Sequence, residues 1–274
     1  MLVFPPAKIN FGLHVLQQRP DGYRDIETVL VPIPLHDALE AVVDPEVPNG
    51  GLVFTRSGLE VPGDPMTDLC VKAHALLKAG HSLPGVRMHL HKAIPIGAGL
   101  GGGSSDGAHA LMLINELLAL GLAETDLRAM AAELGSDCPF FLRSGAQLAT
   151  GRGEVLLPLA LSLKGWWLML INPGIHVRTA KVYANTELGP AKADLTELIT
   201  RHPPEEWSGR LVNVMEHYVM RTYPKVAGAK RIIHEAGAAH TAMSGSGSTV
   251  FGLFRDRPSL PVLASGYRGW VLPL

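Results

Sequence analysis

The stretch beginning at Lys92, "KAIPIGAGLGGGSSDGAHALMLINELL", places six glycines between positions 97 and 107 and then runs into an apolar helical pattern. Glycines in such number let a backbone approach an anion with no Cβ in the way. Ser104 and Ser105 follow at the start of the predicted helix, where free N–H groups and the positive end of the helix dipole favour phosphate. Either serine hydroxyl could also reach a metal ion carried by the phosphates. The chemistry on offer is phosphate binding through the main chain.

Two familiar phosphate motifs fit this stretch badly. Gly97, Gly99 and Gly102 spell G-x-G-x-x-G, but a dinucleotide fold needs that run in a βαβ unit with an acidic residue about 20 positions on, at a strand tip. Glu116 stands there instead, inside the helical pattern. A nucleotide loop of the Walker type needs a lysine after its last glycine, and none follows.

Other residues could act beside such a loop. Lys8 and Asn10 lie two apart on a predicted strand and share a face, either a solvated one or a polar pair at a site. Asp137 in "GSDCPFF" follows a helix stop and precedes Pro139. It reads equally as an Asx-turn residue or as a carboxylate half-buried beside a cleft. His89 and His91 alternate as metal ligands might, yet no Cys, Asp or Glu cluster accompanies them, so an exposed strand face is the better reading. "MSGSGS", Met243–Ser248, is a second glycine–serine loop ahead of a strand.

Positioning these groups takes a scaffold, and its pattern is legible. Ile9, Phe11, Leu13 and Val15 alternate in strand fashion, and Asp21-Gly22 predicts a tight hairpin turn with positive φ at both residues. "DALEAVVD" and "GLVFTRSG" read as further strands, giving an antiparallel opening with no βαβ unit. A helix begins after Thr67 or Asp68, "GVRMHLHKAIPI" alternates again, and helices follow over about 104–120 and from a Thr125 cap to Gly135. Beyond Pro158, "GWWLMLINPG" reads as a central strand. "TAKVYANTEL", "SGRLVNVMEHYV" and "PKVAGAKRIIHEAG" read as helices, and "GWVLPL" as a last strand.

The chain has 274 residues, 47% of them hydrophobic and 18% charged, with a net charge of −1. That balance gives no electrostatic footprint for nucleic acid or for a membrane surface. Two cysteines, Cys70 and Cys138, make no disulfide framework. With no signal peptide and no long apolar run, the expected setting is the cytoplasm.

"PAKINFGLHV", "PIGAGLGGGSSDGA" and "AMSGSGSTVFGLF", in this order and at these separations, closely resemble the three motifs of GHMP kinases, small-molecule kinases whose glycine loop lacks the Walker lysine. "RPDGY" and "GSDCPFF" narrow the resemblance to the branch acting on a cytidine-diphosphate-linked methylerythritol in the non-mevalonate isoprenoid route. The resemblance implies an α+β, two-domain GHMP kinase fold. An N-terminal ribosomal-protein-S5-like α/β domain would span 1–157 and a C-terminal α/β-plait domain 158–274. It implies ATP as phosphoryl donor, a magnesium ion, and a monomer or weak dimer with no nucleic-acid or membrane partner. Carried onto this chain, Pro95, Ile96, Gly97, Ala98, Gly99, Leu100, Gly101, Gly102, Gly103, Ser104 and Ser105 would hold the ATP phosphates, with Ser105 also on the magnesium. Asp137 would take or orient the acceptor's hydroxyl proton, and Lys8 would lower that hydroxyl's pKa and steady the charge on the transferring group. Asn10, Tyr23, Arg24, Thr179 and Tyr183 would line the acceptor site, the two tyrosine rings stacking on cytosine, and Gly245 and Gly247 would close it.

Three positions depart from the pattern. Arg24 replaces the usual histidine after Tyr23. Asp68 stands where asparagine is common near the adenine. "NVME" at Asn213–Glu216 carries Val214 in place of an aspartate.

Overall fold

The computed structural model describes residues 1–274. In chain order the strands and helices are β1 (Leu2–Val3), β2 (Pro6–Gln18), β3 (Arg24–His36), β4 (Ala38–Val43), β5 (Leu52–Gly58), α1 (Leu69–Gly80), β6 (Val86–Lys92), α2 (Gly102–Leu117), α3 (Glu124–Leu134), β7 (Gln147–Thr150), β8 (Val155–Pro158), β9 (Trp167–Asn172), α4 (Thr179–Ala184), α5 (Leu195–Arg201), α6 (Glu216–Thr222), α7 (Pro224–Glu235), β10 (His240–Met243), β11 (Val250–Phe254) and β12 (Arg268–Pro273). Their contacts sort the chain into two compact units. The first holds residues 1–7, 35–96 and 101–144; the second holds 8–34, 97–100 and 145–274. This division differs from a single boundary between 157 and 158, because three segments of the N-terminal half, 8–34, 97–100 and 145–157, belong to the second unit.

The first unit is built on the sheet β1-β4-β6-β5. Period-two alternation drives it: Val86, Met88 and Leu90 of β6 face inward and are buried, while Arg87, His89 and His91 face out. β5 runs parallel to β6, with α1 as the crossover between them. This is a βαβ unit where an antiparallel opening was expected. A parallel pair needs such a crossover, and α1 supplies it from Asp68, whose side chain caps the helix by accepting from Cys70 N at 3.0 Å. α2 and α3 bury Leu111, Ile114, Leu127 and Ala131. Thr125 lies within α3 and does not cap it; Asp126 Oδ2 accepts from Ala123 N there instead.

The second unit carries two sheets, β2-β3-β7-β8 and β10-β11-β9-β12. β2 and β3 form the expected hairpin, but its turn takes another form. Gly22 has φ +85° while Asp21 does not share the positive φ, and Asp21 Oδ1 instead accepts from Tyr23 N at 3.1 Å. β9 is an interior strand, buried from Leu168 to Asn172. Phe11 of β2 meets Trp207 and Phe251 edge-on at 5.1 and 5.5 Å. Helix α6 is shorter than the pattern suggested, and α5, read from no sequence signal, buries Leu195, Leu198 and Ile199.

Candidate functional site

The glycine loop leaves β6 at Lys92, and its residues divide between the units: Pro95, Ile96 and Gly101–Ser105 belong to the first, Gly97–Leu100 to the second. Helix α2 begins at Gly102, two residues earlier than expected. Its N-cap is Gly101 at φ +70°, which offers no side-chain cap. The first intrahelical bond is Ser105 N to Gly101 O at 2.9 Å, so the N–H groups of Gly102, Gly103 and Ser104 have no partner within the helix. No acidic residue stands in that first turn to fill the role of an anion. A Cβ at Gly103 would meet nothing within 4 Å, which leaves the main chain open to a ligand there. This end of α2 can accept an anion from outside the helix.

Ser105 does not suit the metal role. It is wholly buried, and its hydroxyl lies 3.5 Å from His109 Nδ1. Ser104, half-buried in the first turn, is the serine with open surface. The chain also holds no group of three or more His, Cys, Asp or Glu side chains able to hold a metal ion. His89 and His91 are hydrogen-bonded to hydroxyls on the outer face of the sheet, His89 to Thr55 and Ser57 and His91 to Ser57.

Three residues that no sequence argument singled out fix the loop's ends in the first unit. Lys92 Nζ contacts Asp37 Oδ2 and lies 2.6 Å from Asp106 Oδ2, all three side chains being buried. Asp37 Oδ1 also accepts from Ala93 N and Ile94 N at 2.6 and 2.9 Å. Burial opposes the charge on Lys92, but Asp106 and Asp37 outweigh it and raise its pKa. Burial, opposed by Lys92 and reinforced by the Asp37 carboxylate, pushes Asp106 up to about 8. At pH 7 Asp106 is then largely the protonated acid beside the Lys92 ammonium. The signal was in the sequence: Lys92 occupies the inward parity of β6, after Val86, Met88 and Leu90.

Asp137, half-buried, opens the short 3-10 helix Cys138–Leu142 in the first unit, and its side chain makes no cap hydrogen bond. The Asx-turn reading therefore falls, and the half-buried carboxylate stands. Beside it, burial pushes the Cys138 thiol up to about 12, which leaves no reactive thiolate there.

In the second unit the first and third motifs meet the middle of the glycine loop. Lys8 and Asn10 are buried rather than solvated, and Lys8 Nζ donates to Asn10 Oδ1 at 2.7 Å. Ser244 Oγ lies 2.7 Å from Gly99 O and 3.3 Å from Asn10 Oδ1. Lys8 N donates to Leu100 O, and Thr249 N to Ala98 O. A Cβ at Gly245 would stand 3.2 Å from Asn10 Oδ1 and 3.5 Å from Lys8 Nζ. Asn213 holds this loop from below, its Nδ2 donating to Met243 O and Gly245 O, and Glu216 Oε1 accepts from Met243 N. Val214, the departure between them, packs on the apolar core and gives its N–H to Leu13 O.

The residues expected on the acceptor side occupy the same unit. Thr179 Oγ1 bonds Ser246 Oγ at 2.9 Å, so the start of α4 is fastened to the Gly245–Gly247 turn. Tyr183 of α4 packs against the core, and Tyr23 is 54% exposed with the Arg152 guanidinium 4.8 Å over its ring. Arg24 Nη1 donates to Thr186 O at 3.0 Å, tying the β2–β3 hairpin to the end of α4. Asp68 is committed to its helix cap and to Arg56 at 3.5 Å.

Residues 68–145 match the GHMP kinases N terminal domain and residues 198–266 match GHMP kinases C terminal. The chain is 43% identical to 4-diphosphocytidyl-2-C-methyl-D-erythritol kinase of Cytophaga hutchinsonii over 94% of each chain. It is 44% identical to the protein of that name from Bacteroides fragilis, over 93% of this chain and 92% of the other. A crystal structure of 4-(cytidine 5'-diphospho)-2C-methyl-D-erythritol kinase superposes with a TM-score of 0.74 at 36% identity, covering 92% of this chain and 90% of that one. A homoserine kinase from Cytophaga hutchinsonii shares the fold alone, at a TM-score of 0.67 and 16% identity over 98% and 94% of the two chains.

Proposed function

The chain belongs to the GHMP kinase family, and from that premise we propose that it transfers the γ-phosphoryl group of ATP to the 2-hydroxyl of 4-diphosphocytidyl-2-C-methyl-D-erythritol. The observation that carries the reading is the bonded cluster of Lys8, Asn10, Gly99 and Ser244, which draws on all three motifs of the family. The uncapped N-terminus of α2 suits the donor's phosphates, and Arg24 and Thr179 fasten the acceptor-side segments carrying Tyr23 and Tyr183.

In the step itself the acceptor hydroxyl gives its proton to the Asp137 carboxylate as its oxygen attacks the γ-phosphorus. The bond from that phosphorus to the β,γ-bridging oxygen breaks, and its electron pair leaves with ADP. Phosphoryl transfer asks for in-line placement and charge neutralisation more than for covalent help. Lys8 supplies positive charge toward the acceptor oxygen, and the N–H groups of Gly102, Gly103 and Ser104 meet the donor's phosphates. Magnesium would come with those phosphates, and the buried Ser105 would not hold it. The enzyme would work in the cytoplasm as a monomer or weak dimer, its two family domains meeting in sequence at 157/158.

A substrate panel with labelled ATP tests the proposal. Phosphorylation of the cytidine-linked methylerythritol, with mevalonate, homoserine and galactose left untouched, is the expected result. Preference for any of the other three overturns it.

A further inference from the structure

A polar cavity of ≈ 310 Å³ opens within the second unit, away from the glycine loop in sequence and built from β2, the segment after α4, and α6. His14 lines it together with Thr186, Glu187, Lys192, His217 and Arg221. His14 is 1% exposed, yet neither of its ring nitrogens has a hydrogen-bond partner. The nearby carboxylate, Glu27 Oε1, stands 3.6 Å from Nδ1, beyond hydrogen-bond reach. Burial, outweighing the opposing charge of Glu27, lowers the imidazole's pKa, so at neutral pH it carries one N–H and one bare nitrogen. Buried polar groups are almost always paired, and this one faces a cavity instead.

The charges around the opening lean one way. Arg56 and Lys230 end on carboxylates, as cations of this chain commonly do, whereas Lys192 and Arg221 make no such pair. Lys192 is near enough to His14 for its charge to help lower the ring's pKa. Glu187 is the one carboxylate lining the cavity. An arginine fork and an ammonium at the opening above a buried N–H make a receptor for an oxyanion.

We propose that this cavity binds a phosphoryl or diphosphoryl anion, held by Lys192 and Arg221 with His14 donating from within. The binding does not depend on the phosphoryl-transfer reading. Two sources share that chemistry, the diphosphate of the acceptor and a separate phosphorylated metabolite. The loop lining the cavity is the one whose Thr186 carbonyl receives Arg24, so occupancy would be felt at the hairpin carrying Tyr23.

The test follows the ring signals of isotope-labelled histidine by NMR, with His14 assigned through His14→Gln. The glycine loop is first filled with a non-hydrolysable ATP analogue, and inorganic pyrophosphate is then titrated. The His14 signals are expected to shift saturably, and the double variant Lys192→Ala, Arg221→Ala to weaken that binding by about tenfold or more. Both substituted residues are exposed, so the fold is kept. A parallel rise in KM for the acceptor, at constant KM for ATP, names the acceptor's diphosphate as the occupant. Lost pyrophosphate binding with both KM values constant names a separate metabolite. His14 signals that stay still, or that shift with equal affinity in the double variant, overturn the proposal.

Discussion

Lys92 Nζ stands 2.6 Å from Asp106 Oδ2, and this one contact joins the strand that enters the glycine loop to the helix that leaves it. Asp37, bonded to Lys92 and to the Ala93 and Ile94 amides, makes the junction three-sided. Replacing the cation strands buried carboxyl groups without their partner. Lys92→Met is therefore expected to lose about 3–5 kcal/mol of stability in denaturant unfolding. A loss below about 1 kcal/mol would mean that the cluster is incidental to the fold.

The same cluster gives stability a pH dependence. The folded-state pKa of Asp106 is raised from 3.8 to about 8, so the folded chain binds its proton more tightly than the unfolded chain. That contribution is full below the unfolded pKa and is lost as pH rises through about 8. Comparing unfolding free energies across this window, Asp106→Asn should remove the downward slope that the wild type shows. Parallel profiles for the two proteins would contradict the raised pKa.

Asp137 is assigned the acceptor's proton. Asp137→Asn should lower kcat by about 10²–10⁴-fold while the affinity for ATP, measured by equilibrium binding, stays near that of the wild type. Asparagine matches the half-buried carboxylate in size, which favours a folded variant. Turnover within about twofold of the wild type would remove Asp137 from the mechanism.

Gly99 is confined on two counts. Its φ is +78°, and a Cβ there would come 2.0 Å from Ser244 O. Gly99→Ala must push the glycine loop off the second glycine–serine loop, with a backbone strain of about 1–3 kcal/mol besides. The expected outcome is a lower melting temperature and a several-fold loss of kcat/KM. An unchanged melting temperature would show that the two loops can part freely.

Much of this was legible in the sequence because the signals are local. Strand alternation placed β2 and β6, an unbroken apolar run placed β9, and the glycines from Gly97 to Gly103 marked the loop that leads into α2. What escaped depends on partners distant in the chain. The parallel pairing of β5 with β6 is invisible in either strand alone, since each sequence marks a strand without naming its partner. The turn at Asp21 was misread because a side-chain acceptor replaced the second positive φ. Lys92 shows its inward parity, but only Asp37 and Asp106, 55 and 14 residues away, make a buried lysine tolerable. Asn213 likewise has no reason to be buried until the loop at Met243–Gly245 comes to meet it.

Arg24 spends its guanidinium on the Thr186 carbonyl. In doing so it fixes the hairpin carrying Tyr23 against the end of α4. Arg24→Ala should raise KM for the cytidine substrate several-fold with KM for ATP unchanged, since the glycine loop has no part in that bond. Equal effects on both substrates would point to general unfolding instead.

His240 sets a limit on acid tolerance. Both of its ring nitrogens are buried without a partner, its ring lies among those of Trp207 and Phe251, and burial lowers its pKa from 6.5 to about 4. A depressed histidine contributes stability that is whole above the unfolded pKa and falls as pH drops toward the folded one. The loss between these two values amounts to about 3 kcal/mol at most. His240→Phe keeps a ring of similar size in the aromatic cluster and breaks no hydrogen bond, so stability near pH 7 should change little. Below about pH 5 the variant should outlast the wild type, with the gap widening as the pH falls. Unfolding curves collected across that range decide the matter: a gap that stays constant with pH would show that His240 is not held neutral by burial.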